Sequence, residues 1–128
     1  MRRILCVAGV CVFAAVALAP AAAADSPGTV ANLRGQVARL LTAELAKDTG
    51  TVCAIVAHPA STCAQHWDRS LTRFLRHGGR HTLKADMAAV AGAGVSSNGF
   101  WATIALPHPL LGGHSDFGWY DNCWMVEK

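Results

Sequence analysis

The spacing of the apolar residues changes partway along the chain, and this change limits the fold more than any single residue does. Val30, Leu33, Val37, Leu40, Leu41 and Leu45 recur at steps of three and four, while Asn32, Arg34, Gln36, Arg39 and Lys47 stand off that line. A period near 3.6 is that of a helix with one buried stripe. Ser26 before Pro27 offers an N-cap and a first helical residue whose missing N–H costs nothing there. Gly50 offers a stop. The spacing predicts a first amphipathic helix of about five turns.

Residues 51–58 are apolar and short, which fits a strand or a helical turn equally, and Pro59 ends them. Thr62 with Gln65 three positions on makes a capping-box pattern. Behind it, Cys63, Trp67, Leu71, Phe74 and Leu75 form a second apolar stripe, opposite Asp68, Arg69, Thr72, Arg73 and Arg76. Gly78-Gly79 breaks this helix. From there the period becomes two. Leu83, Ala85, Met87, Ala89 and Ala91 share one face of residues 82–91, with Lys84 and Asp86 on the other, and this alternation predicts a strand. A turn-rich stretch, residues 92–99, precedes Phe100, Ala102, Ile104 and Leu106, which alternate with Trp101 and Thr103. Two short strands then flank Asp121-Asn122, a hairpin turn by composition. Helices first and strands after them predict an α+β fold, with two or three N-terminal helices packed on a curved antiparallel sheet of about four strands.

The N-terminus has the three parts of a secretory signal: Arg2 and Arg3, an apolar run over residues 4–18, and Ala22-Ala23-Ala24 ahead of Asp25. A membrane anchor is the competing reading, since residues 4–24 approach the length of about 20 that spans a bilayer. Pro20 and the alanine tract favour cleavage. The expected organisation is a signal peptide at 1–24 and one α+β domain at 25–128, secreted or held in the cell envelope without stable membrane insertion. Cleavage removes Arg2 and Arg3, so the formal charge of +3 falls by two to +1. A basic balance that vanishes with the leader gives no support to a nucleic-acid partner.

Of five cysteines, Cys53, Cys63 and Cys123 survive cleavage, and an exported chain can oxidise them. Cys53 with Cys63 is the preferred pair, across a short polar and proline-containing loop. Either of them with Cys123 is the alternative. No CxxC or HExxH spacing occurs, so neither a metal nor any other cofactor is expected.

The order of a long amphipathic helix, the Cys53/Cys63 spacing, a second helix and strands ending in Asp121-Asn122-Cys123-Trp124-Met125-Val126 resembles small exported bacterial members of the ketosteroid isomerase and nuclear transport factor two-like superfamily, the cystatin-like α+β cone. The resemblance spans nearly all of residues 26–128. It implies a conical cavity between helices and sheet, and a homodimer through the outer sheet face. The aspartate, tyrosine and protonated acid of the isomerase chemistry are not carried over. Tyr120 is the single tyrosine, and the alternation of residues 82–91 turns Asp86 away from the apolar face.

Trp67, Phe74, Trp101, Trp119 and Tyr120 are the candidate lining of a ligand cavity, against the plainer reading of core and hairpin packing. The expected function is a non-catalytic exported domain binding a small apolar ligand or a protein partner. The alternative is a small cavity enzyme of the isomerase, dehydratase or cyclase type with a histidine or aspartate as base. Six histidines are spread over the chain; His114-Ser115-Asp116 is too local for a catalytic triad, and His66, His77 or His114 with Asp116 is the only metal grouping worth weighing. Arg69, Arg73, Arg76, Arg80 and Lys84 concentrate positive charge in one stretch, either a solvated face or a surface for an anionic partner.

Overall fold

A computed structural model describes residues 28–108 and 116–127; the signal-peptide segment, Ser26-Pro27 and His114-Ser115 lie outside them. Four helices precede four strands: α1 (Val30–Leu45), α2 (Thr49–Ile55), α3 (Cys63–Phe74), α4 (Arg80–Ala89), then β1 (Val95–Ser97), β2 (Trp101–Ile104), β3 (Asp116–Tyr120) and β4 (Cys123–Val126). The strands form one antiparallel sheet in the order β1-β2-β3-β4. The fold is therefore α+β, with the helices on one side of a four-stranded sheet.

Helix α1 begins later than the Ser26-Pro27 signal suggests. Its N-cap is Thr29, with extended backbone and a hydroxyl that accepts from Asn32 N at 3.1 Å. The chain ahead of it is pinned to the sheet, because Gly28 N donates to Gly99 O at 2.8 Å. A Cβ on Gly28 would stand 2.4 Å from the Trp119 ring and 2.5 Å from that of Trp124, so only glycine passes there. Nor does Gly50 stop the helix. Lys47, at φ 56°, ends α1 in the left-handed region, and Gly50 falls inside α2. Asp48 caps α2 by accepting from Thr51 N at 3.1 Å and Thr51 Oγ1 at 2.6 Å. These bonds to the charged carboxylate hold its pKa below the ordinary range. Residues 51–58 thus resolve as a helix followed by a single parallel bridge, Val56 to Val126.

Residues 82–91 are helical, not a strand. Leu83, Asp86 and Val90 are the buried positions, at steps of three and four, while Met87 is 37% exposed. The apparent alternation came from alanines, which carry little information about a face and are strong helix formers. Gly78-Gly79 does interrupt the helix, as expected. Gly78 takes φ 86°, and the chain kinks at His77 and Gly78 between α3 and α4. Thr62 is the N-cap residue of α3, yet its side chain makes no capping bond.

The core joins Leu33, Val37, Leu40 and Leu41 of α1 to Val52 and Ile55 of α2, Trp67 and Leu71 of α3, and the inner sheet face of Ala102, Ile104, Phe117, Trp124 and Val126. The Cys53–Cys63 disulfide forms, tying α2 to the head of α3. Cys123 is buried. Strand β4 ends the sheet, and its free edge is closed: Gln36 Nε2 donates to Trp124 O at 2.8 Å and Ala57 N to Val126 O at 2.9 Å. Gln36, a polar off-stripe residue by sequence, is in fact buried. Gln36→Ala removes the donor from a buried carbonyl and is expected to cost about 1–3 kcal/mol, read as a lower urea midpoint with an unchanged slope. An unchanged midpoint contradicts this role.

Candidate functional site

Two arrangements carry chemistry, one on the outer sheet face and one inside the helical layer. On β2, Ala102 and Ile104 turn inward while Trp101 and Thr103 face out. Register places Thr103 opposite Ser96 of β1 and Asp116 of β3, and Trp101 opposite Gly118. Ser96, Trp101, Thr103 and Asp116, with Asn98 and Glu127, border an open concavity of about 550 Å³. Phe100 and Trp101, beside each other at the head of β2, are 52% and 53% exposed. Gly118 leaves room for the neighbouring pair: a Cβ there would stand 2.5 Å from both Glu127 Oε1 and the Tyr120 ring. Tyr120 Oη donates to Glu127 Oε1. That bond, with burial and the carboxylate charge, pushes the Tyr120 pKa upward. His58 meets the Tyr120 ring edge-on at 5.6 Å between centroids.

The second arrangement is a group of acids under α1 and α4. Glu44 and Asp86 are each 1% exposed. Glu44 Oε2 and Asp86 Oδ2 lack hydrogen-bond partners among the described residues. Burial, and then the charge of Asp86, pushes Glu44 up to about 8. Asp86 Oδ1 accepts from His108 N at 3.0 Å, with His108 Nδ1 at 3.2 Å. The histidine ring reaches solvent while its carboxylate partner does not.

The five residues expected to share a cavity are dispersed. Trp67 is core on α3, with its indole N–H unpaired among the described residues, and Phe74 packs at the core's margin. Trp119 meets Trp124 edge-on at 5.1 Å inside the sheet–helix layer. Tyr120 and Trp101 belong to the outer face. Of the five, Trp101 alone borders the 550 Å³ concavity. Asp86, which the two-residue period turned outward, is buried on the inner side of α4. Sequence reasoning missed Glu44, Asp86 and His108 as a group. The available signals were Glu44 at the next step of the α1 stripe after Val37, Leu40 and Leu41, and Asp86 three positions after Leu83. No grouping of three metal-ligating side chains occurs among the described residues. No protein family, curated protein or solved structure matches this chain.

Because Glu44 titrates higher folded than unfolded, its protonated form favours the fold. That stabilisation is full below about pH 4.5 and is lost as pH rises through about 8. Urea melts at pH 5 and pH 8.5 are expected to show a loss of a few kcal/mol at the higher pH. Glu44→Gln should flatten that dependence and exceed the parent chain in stability at pH 8.5. A variant weaker than the parent there contradicts the assignment.

Proposed function

We propose that this chain is an exported binding domain whose working surface is the outer face of its sheet, centred on Trp101. The observation that carries this reading is Trp101, a ring 53% exposed on the outer face and bordering an open concavity. Burying a single large apolar side chain contributes about 1.5–3 kcal/mol, so an indole left in water beside a concavity is a surface that a partner can cover with gain. The lining supplies the polar half of a recognition site: hydroxyls from Ser96 and Thr103, the Asn98 amide, and the carboxylates of Asp116 and Glu127. The occupant is a small ligand or a segment of a partner protein laid across the strands. Export follows from the signal-like residues 1–24, and the Cys53–Cys63 disulfide agrees with an oxidising compartment. No helix among the described residues is long and apolar enough to cross a membrane. Membership of the ketosteroid isomerase and nuclear transport factor two-like superfamily belongs to the same proposal, supported by helices ahead of an antiparallel sheet.

A second reading, an enzyme with His108 as base, has one observation in its favour: Asp86 lies where it would orient the His108 ring. A thermal-shift screen of chemically diverse small molecules and peptides separates the two. Binding at the sheet face predicts compounds that raise the Tm of the parent chain and of His108→Asn by at least about 2 °C but leave Trp101→Ala unmoved, a shift equivalent to a few tenths of a kcal/mol. Compounds whose effect survives Trp101→Ala and disappears in His108→Asn reject the sheet-face reading.

A further inference from the structure

The outer side of α3 offers a different surface. Arg69 and Arg73 of α3, and Arg76 in the helical turn that continues it (Leu75–Gly79), are exposed, four and three residues apart, which puts them on one face over about 10 Å of helix axis. Together they border a concavity of about 450 Å³ with Thr72 and His77. Arg69 and Arg73 also border a second one of about 460 Å³, beside Thr62, Gln65 and Ser70. None of the three guanidiniums has an ion pair or hydrogen bond among the described residues.

The missing internal counter-charge has a structural cause. Asp68 is the one acid among the described residues that border these concavities, and Lys47 just past α1 holds it at 3.1 Å. The same ammonium donates to Thr72 Oγ1 at 2.8 Å. Lys47 thus occupies the carboxylate that would otherwise neutralise the arginines. A favourable position near a helix C-terminus accounts for Arg73 and Arg76 but not for Arg69 in the middle of α3.

We infer that this face binds a soluble linear polyanion bearing phosphate groups, independently of the sheet face. Guanidinium forks match the paired oxygens of a phosphate, and a tetrahedral oxyanion has oxygens left over for the Thr62, Ser70 and Thr72 hydroxyls, which a carboxylate does not. Two concavities in succession along one helix suit a chain carrying repeated charges better than a single ion. A bilayer surface is disfavoured: the exposed large apolar residues among those described are Val30, Met87, Phe100 and Trp101, and none is on α3 to anchor it in lipid.

The test is binding of fluorescently labelled long-chain inorganic polyphosphate, followed by anisotropy between about 20 and 300 mM salt. Three phosphate contacts predict saturable binding whose log affinity falls with log salt at a slope of about 2–3. Arg69→Ala/Arg73→Ala/Arg76→Ala should weaken binding at least tenfold while retaining the parent circular dichroism. Lys47→Met frees Asp68 beside the arginines and should weaken it at least threefold. Lys84→Met removes the same charge elsewhere and should change it less than twofold. Absent or salt-independent binding overturns the inference. So does a Lys84→Met loss equal to that of Lys47→Met, which would mark the attraction as net charge alone, or tighter binding to anionic phospholipid vesicles than to polyphosphate.

Discussion

The free edge of β4 is the constraint on which the rest of the structure depends. A terminal strand presents unpaired backbone groups that invite another strand. Here the two outward carbonyls, of Trp124 and Val126, are taken by Gln36 of α1 and by the backbone N–H of Ala57 just beyond α2. The Trp124 indole returns a bond to Thr29 O at the start of α1. Helix α1, the segment after α2 and the last strand are thereby fixed to one another, although they come from opposite ends of the chain. The Cys53–Cys63 disulfide extends that connection to α3.

Sealing this edge brings the helices onto one side of the sheet, and the two sides then differ sharply in character. Among the described residues the buried polar side chains are Gln36, Glu44 and Asp86, and each of the two acids has an oxygen lacking a hydrogen-bond partner. An unpaired buried charge is expensive, and a carboxyl that holds its proton until about pH 8 reduces that cost on Glu44. Asp86 is served instead by His108, which fastens the chain after β2 to α4. On the outer side stand Trp101, hydroxyls and two carboxylates, with no positive charge among the described residues that line the concavity, whereas α3 carries arginines with no ion pair among the described residues. The two exposed surfaces therefore suit chemically opposite occupants.

Much of this architecture was legible from spacing alone. The α1 and α3 stripes, the break at Gly78-Gly79, the Cys53–Cys63 pair and the turn at Asp121-Asn122, where both residues take positive φ, follow from local rules that tertiary contacts did not override. Residues 82–91 failed because alanine fits either period, and because the one polar residue taken to mark the solvent face, Asp86, is the buried one. The acid group could not be seen for the same reason. A carboxylate in a stripe reads as an interruption until the helix opposite supplies its neighbour. The aromatic residues were recognised as unusual, but their partition between core and surface depends on strand register: Trp119 pairs with Trp124 and Trp101 with Gly118.

With the β4 edge closed, the outer sheet face stays open beside β2, with Trp101 as its exposed ring. Hydroxyl-radical footprinting of the purified chain, with oxidation of each tryptophan quantified by mass spectrometry, measures this directly. Oxidation is expected to be fastest at Trp101, slower at half-buried Trp119, and suppressed at Trp67 and Trp124. Protection of Trp101 to the level of Trp124 would mean that the outer face is covered and not open.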